Sequence, residues 1–291
     1  MVLILLAMAA ALYAQDTMID IGGSVEWERR EINTALTLNL AQAGIRLPSG
    51  RAQAEEIINS EYLQLIQPFL LSIPVDSSNT IADLMNRGEF SSHQAGIIAL
   101  SARKVPPSLS ADLTFLSTLY TIDLKRLSSE LIQHSRPMEI ARPLIPAPAA
   151  AYTGIIIIAN TSLPVHGRNT SSLPLPCLFP KIWDTEMNLI YERNMMNPET
   201  AQRAGLVRYV PESSVLYSSP SGIAPDLIAL VGENPLRIMA RGVFGLRPTD
   251  PIIDRADALL ILSSEENRRL LREGRVVMVL NEGVLKSPWQ K

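Results

Sequence analysis

Hydrophobic positions along this chain recur with two different periods. From Ile19 to Leu40 they recur in steps of two: Val25 and Trp27 alternate with Glu26 and Glu28, and Ile32, Thr34, Leu36, Leu38 and Leu40 then share one parity. That is a β-hairpin with one buried face, turning near Glu28–Glu31. After Pro48-Ser49-Gly50 the period lengthens. Ala54, Ile57, Ile58, Leu65, Ile66 and Phe69 fall at three- and four-residue steps, which predicts an amphipathic helix. Glu55 and Glu56 stand in its N-terminal part, where negative charge is favoured, and Pro68 should end or kink it near Gln67. Asp76-Ser77-Ser78-Asn79 has the composition of a turn. A short helix over Thr80–Arg87 should stop at Gly88. Another, capped by Ser91 or Ser92, should run to about Lys104 with Ile97, Ile98 and Ala102 inward, before Pro106-Pro107.

Ser108–Leu124 is the longest strand candidate, but its phase changes. Leu109, Ala111, Leu113 and Phe115 share one parity; Thr118, Tyr120, Ile122 and Leu124 share the other. A slip of one residue exchanges the faces of a strand, so either a β-bulge or the meeting of two strands lies at Phe115-Leu116. Lys125–His134 reads as a short helix. Pro137, Pro143, Pro146 and Pro148 then mark residues 137–150 as a semi-rigid, extended linker.

Beyond the linker, Tyr152–Ala159 is a short β-branched run of the kind that forms a buried strand. Leu175–Asp184 and Asn188–Tyr191 read as the two strands of a hairpin. Asn197-Pro198-Glu199-Thr200 should open a helix that Gly205 closes, Tyr209–Ser221 should be loop, and Pro225–Leu230 one or two helical turns. Leu236, Ile238, Ala240 and Val243 suggest one strand, Pro248–Pro251 a turn and Ala258–Leu262 another strand. Ser263 with Glu266 has the form of a capping box for a helix ending at Gly274, with Leu270 and Leu271 inward. Arg275–Leu280 is a buried strand candidate. The chain is therefore expected to be α+β: two small domains, residues 16–136 and 151–285, with mostly antiparallel or mixed sheets, then a tail over 286–291.

Composition narrows the classes of function. Residues AVILMFWYC make up 47% and charged residues 19%, which is globular rather than disordered. The net charge of -3, without any Lys/Arg block, argues against nucleic acid and anionic lipid as partners. Met1–Gln15 has an apolar run, Val2–Ala11, too short to span a bilayer. With Ala14 before a polar start it fits a secretory signal, although the basic n-region is missing. Residues 1–15 are thus expected to be removed and the rest to be periplasmic. No cysteine follows to carry a lipid anchor.

Catalytic signatures are absent from the sequence. It has no Gly-x-Ser-x-Gly elbow, phosphate loop or dinucleotide fingerprint. Cys177 is the one cysteine, so no internal disulfide forms, and a small buried hydrophobe is its expected role. His93, His134 and His166 are scattered, without metal-ligand spacing. Neither metal nor cofactor is expected. Asp184, Glu186 and Glu192 lie where a solvated turn and its shoulders belong, which suits them poorly to glycosidase chemistry. The polar insert Leu163–Leu173, with His166 and Arg168, and the neighbouring Trp183 and Asp184 form the candidate interaction surface.

Tyr152-Thr153-Gly154, Pro176–Asp184 (Pro-Cys-Leu-Phe-Pro-Lys-Ile-Trp-Asp) and Ile190-Tyr191 occur in an order that resembles a bacterial cell-envelope family. Gly232–Leu236 and Arg275–Val279 continue the pattern, and the likeness covers roughly Tyr152 to Leu280. The family is that of the flagellar outer-membrane lipoprotein FlgP and its relatives, in its C-terminal module; a domain of FlgT is similar more loosely. This chain departs from it in the Leu163–Leu173 insert, in Thr185–Asn188 where the family turns on Asp-Gly, and in lacking the lipidation cysteine. The resemblance implies a non-enzymatic exported protein that assembles with itself and with envelope or flagellar partners. The alternative is a periplasmic ligand- or glycan-binding module, with the insert and Trp183 around a cleft. A third is a hydrolase that would need Cys177 or a serine joined to His166.

Overall fold

The computed structural model describes residues 18–216 and 221–289, so the expected signal segment and part of the Tyr209–Ser221 loop lie outside the described residues. The chain is α+β. In the first half, β1 (Ile19–Glu26) and β2 (Glu31–Asn39) form the expected hairpin, Ile19 opposite Leu38 and Glu26 opposite Glu31. The Ile32-to-Leu40 parity faces inward, every member buried. Helix α1 (Arg51–Ser72) covers that face with Ala54, Ile58, Tyr62, Ile66 and Leu70, a strict four-residue stripe. It runs through Pro68 instead of ending near Gln67. Pro68 is on the exposed side, and the buried Leu70 beyond it holds the last turn in place.

Asp76 Oδ1 accepts from the backbone N–H groups of Ser78 and Asn79 at 2.8 Å, closing the turn before α2 (Ile81–Asn86), which Thr80 and Asp83 cap reciprocally. Ser91 caps α3 (Ser92–Leu100). This helix is shorter than expected, because Arg103–Lys104 leave it to form strand β3. Ile97 is 53% exposed rather than inward: Ala95, Ile98 and Ala99 take the interior positions. The phase change before Leu116 is the meeting of two strands, β4 (Ser108–Leu109) and β5 (Phe115–Asp123), paired antiparallel around a turn. Helix α4 (Leu124–Glu130) ends the half.

The second half contains β6 (Ile155–Ala159), β7 (Leu163–Pro164), β8 (Ser171–Ser172), β9 (Ile182–Asp184), β10 (Leu189–Tyr191), α5 (Pro198–Ala204), β11 (Arg208–Val210), α6 (Pro225–Val231), β12 (Leu236–Met239), β13 (Gly242–Phe244), β14 (Asp250–Ile253), α7 (Arg255–Leu262), α8 (Glu265–Arg272), β15 (Val276–Leu280), α9 (Glu282–Leu285) and β16 (Lys286–Pro288). Five readings change. Tyr209 and Val210 belong to a strand, not a loop. Leu236–Val243 is two strands in different sheets; the turn between them keeps the parity and so hides the break. Pro251 lies within β14. Ala258–Leu262 is helical, with Ala258, Ile261 and Leu262 buried at helical spacing; a short apolar run does not distinguish helix from strand by period. The cap of α8 is Ser264, one residue later than expected.

Three main sheets result. The first has the order β16-β1-β2-β5-β3, with β4 also on β5, and is antiparallel. The second, β10-β9-β14-β13, is mixed. The third, β11-β15-β6-β12, is parallel throughout. In this third sheet both faces are covered, as parallel sheets require. Ile156, Val277 and Val279 pack with Leu227 and Val231 of α6, while Ile155, Ile157, Val276 and Met278 join the main core with α7 and α8. Gly154 allows α6 to approach: a Cβ there would lie 2.5 Å from the Cα of Val231.

The halves share one core. Leu178 and Phe179 N–H donate to the carbonyls of Pro74 and Val75 at 3.0 and 2.8 Å. Arg30, in the β1–β2 turn at φ +58°, donates to the carbonyls of Ala204 and Val207 at the end of α5. The expected tail is strand β16, in which Ser287 lies opposite Val25. Trp289 follows it, stacked on Phe69 of α1 at 3.8 Å between ring centroids, its backbone N–H donating to the Gly23 carbonyl.

Trp289→Ala therefore destabilises the protein although it lies outside the second half's own core. A loss of about 2 kcal/mol is expected, below that for a fully buried Trp, because the residue is only half-buried. Differential scanning calorimetry should register it as a shift of one cooperative transition. Two transitions, of which only the second moves, would contradict the shared core.

Candidate functional site

The second sheet and its insert position the residues singled out by sequence. His166 is exposed, and its backbone N–H donates to the Val243 carbonyl at 2.9 Å, which lays the insert along β13. The His166 and Trp183 rings lie 6.0 and 5.7 Å from the Phe244 ring. Arg168 Nη1 reaches the Leu246 carbonyl at 3.5 Å. The fold thus brings His166, Arg168 and Trp183 to one neighbourhood through β13 and the turn after it. Phe244, the residue that links the two rings, was not singled out by sequence.

Asp184 is different. It is fully buried, so it is not part of an exposed surface, nor a solvated turn residue. Its carboxylate accepts from the backbone N–H groups of Glu186 and Asn188, from Asn188 Nδ2, and from Arg255 Nη1 at 2.6 Å. This set replaces an Asp-Gly turn: one buried carboxylate gathers the N–H groups of Glu186 and Asn188, and Met187, its N–H on the Asp184 carbonyl, takes φ +61°. Burial pushes the carboxyl up, but the bonds from Asn188, Arg255 and Glu186 outweigh it and hold it below the usual range. Asp250, also fully buried, goes the other way. Burial raises it despite bonds from Lys181 N–H, Thr249 Oγ1 and Trp183 Nε1. Neither carboxylate meets solvent, so neither is placed to act on a ligand.

The other reactive groups are also structural. Cys177 is 1% exposed; burial pushes its thiol well up, and its backbone exchanges hydrogen bonds with the Tyr209 hydroxyl. The narrow pocket it lines with Trp27, Arg30 and Tyr209 does not include His166. His134 Nε2 lies 2.9 Å from the Met196 carbonyl. Among the described residues no group of three or more His, Cys, Asp or Glu side chains could hold a metal ion.

A cleft of about 440 Å³ lies elsewhere, over the carboxyl ends of β6, β15 and β11. Asn160, Leu280-Asn281-Glu282 and Pro211-Glu212-Ser213 line it, with Leu216. It exists because the chain leaves β6 and β11 toward opposite faces of the sheet, which parts the loops above β15; open parallel sheets bind ligands at such places. Asn281 donates from Nδ2 to the Asn160 carbonyl at 3.4 Å and caps α9 through Oδ1. Two carboxylates, a hydroxyl and two amides, with no lysine or arginine, suit a ligand that carries ammonium or hydroxyl groups. Sequence reading missed these residues. Each polar group follows directly on a strand, but only the strand order shows that the three strand ends meet.

Residues 18–130 match the family model for the N-terminal domain of Treponema pallidum Tp0624, and residues 154–282 match the model for its second domain. Both halves are thus similar to successive domains of one protein. No curated protein matches the chain.

Arg255→Ala leaves the buried Asp184 without its charged partner and should lower the urea-unfolding free energy at neutral pH. The pH dependence has a definite sign. A folded-state pKa below the unfolded one contributes stability above the unfolded value of about 4 and loses it as pH falls through the folded value. The gap in urea-unfolding free energy between wild type and Asp184→Asn should therefore be full near about pH 6 and close below about pH 4. A gap that widens on acidification would reverse the assignment.

Proposed function

We propose that this chain is a non-enzymatic, exported periplasmic assembly protein, a scaffold component of the flagellar motor or of the cell envelope more generally. The observation that carries this reading is apolar surface left open on a well-packed body. Leu63, Ile97 and Leu100 are exposed by 39%, 53% and 69% along α1 and α3, where a groove runs between the two helices. Exposed apolar patches of this kind mark protein contacts. The buried chemistry supports it as well: Asp184, Asp250 and Cys177 are used up in holding turns and packing. The resemblance of Tyr152–Leu280 to the flagellar lipoprotein family, read from its motifs, supports an envelope setting. No described helix is long and apolar enough to cross a membrane.

A second reading, a small-ligand binding module, is favoured by the cleft above β15. Its ligand would be an amine or polyol held by Glu212 and Glu282, and not a glycan around the Leu163–Leu173 insert and Trp183, since neither lines that cleft. Calorimetric titration with a panel of amino sugars, polyamines and polyols tests it. Saturable binding lost in Glu282→Gln supports it, and no heat from any of them removes it.

Expressed with its full N-terminus, the protein should be recovered from the periplasm beginning near Gln15. On size exclusion with light scattering it should exceed the monomer mass or carry envelope partners through a pull-down. A cytoplasmic, unprocessed, strictly monomeric chain without envelope partners would overturn the assignment.

A further inference from the structure

The seam between the two halves opens into two polar pockets that share one wall. That wall is a single 3-10 turn, Arg193–Met195, which follows β10. On one side of Arg193 and Asn194 lies a pocket of about 80 Å³, bounded also by Asp76, Phe179, Lys181 and Glu192. On the other lies one of about 180 Å³, bounded by Leu84 of α2, Glu89, Leu131, Gln133 and His134. Each pocket thus draws residues from both halves, and such seams are places where proteins hold small ligands.

Charges of both signs are left unspent in the smaller pocket. Asp76 is engaged by the N–H groups of its own turn, and Glu89 by Arg87 at 2.7 Å. Among the described residues, by contrast, the Arg193 guanidinium, the Lys181 ammonium and the Glu192 carboxylate make neither an ion pair nor a hydrogen bond. All three residues are half-buried, where a missing partner costs more than in open water. Anchors keep the opposite charges from collapsing on one another. Arg193 lies over the Phe179 ring, 5.3 Å from its centroid. Its turn is tied by Met138 N–H to the Asn194 carbonyl at 2.6 Å and by His134 Nε2 to the Met196 carbonyl at 2.9 Å. Lys181 is held by its backbone N–H, which donates to Asp250 Oδ1 at 3.1 Å.

We propose that this seam binds a free α-amino acid with an uncharged side chain. A plain anion would meet Glu192 and a plain cation would meet Arg193 and Lys181; a zwitterion satisfies all three. Its carboxylate takes Lys181 and the paired N–H groups of Arg193, and its ammonium takes Glu192. A water needs about 10–15 Å³ of such space, so the smaller pocket has room for this head group. The side chain enters the larger pocket, where Leu84 and Leu131 meet its stem and Gln133 its tip. Glu89 is already paired there, so no charge remains to meet a charged side chain. The site is separate from the cleft above β15 and does not depend on the assembly reading.

Isothermal titration of the protein with L-alanine, L-glutamine and L-methionine tests it. At least one should bind saturably. The same amino acid with its amine acetylated, or with its carboxylate as the amide, should bind at least about tenfold more weakly. Arg193→Gln and Glu192→Gln should each weaken the free amino acid by a similar factor, with Lys181→Gln in reserve should Arg193→Gln fail to fold. Glu282→Gln, which alters only the cleft above β15, should bind like wild type. Absence of heat from all three amino acids would overturn the proposal. So would blocked forms that bind as well as the free one, seam variants that bind like wild type, or binding that is lost in Glu282→Gln, which would move the ligand to the other cleft.

Discussion

The first sheet is complete only when the last strand of the chain reaches it. β16 supplies the neighbour that β1 otherwise lacks, and Trp289 then covers Phe69 on α1. An unpaired edge strand exposes a row of backbone donors and acceptors, so this closure protects β1 as well as joining the halves. Arg30 makes a second tie from the opposite end of the hairpin, by satisfying the carbonyl of Ala204, which the C-terminus of α5 leaves open, and that of Val207 just before β11. Its positive φ is the conformational cost of aiming the guanidinium there. Leu178 and Phe179 add backbone bonds to the same seam. Two α+β units that could have hung on a flexible linker are instead one body, and the proline strap between them is fastened down rather than spanning a gap.

That fastening depends on the parallel sheet of the second half. β6 and β15 are buried on both faces, so each residue is committed: one parity to α6, the other to the core with α7 and α8. Such a sheet offers solvent only its strand ends and edges. The cleft it opens lies at the carboxyl ends, where Asn160, Asn281 and Glu282 stand. The fully buried carboxylates lie away from it, in the mixed sheet, and their opposite displacements show different work. Asp184 is rich in donors and stays ionised to gather a turn. Asp250 has weaker support and bears the desolvation.

Elements defined by strong local signals were legible in the sequence. The β1–β2 hairpin, the α2 and α5 boundaries at Gly88 and Gly205, and the buried runs at Ile155 and Val276 all follow from period, caps and glycine. What escaped was set by tertiary context. Ala258–Leu262 is too short for its period to speak, and Leu236–Val243 keeps parity across a turn. Pro68 could stay helical because its ring lies on the exposed side of α1. Lys286–Pro288 carries no strand pattern at all; it is a strand because β1 was available. The candidate site was the least legible part. His166 and Trp183 were named without Phe244 between them, Asp184 was taken for a surface residue, and the cleft residues are linked only by strand order.

Shape then bears on what a partner meets. The strap with Leu144-Ile145 is anchored on the second half through Ser263 and Asn194, while the groove belongs to α1 and α3 of the first. β16, Arg30 and the Leu178–Phe179 seam tie the two halves together, so these surfaces are presented at one fixed angle. The strand that finishes the first sheet is therefore also what fixes the relative placement of the surfaces on the two halves.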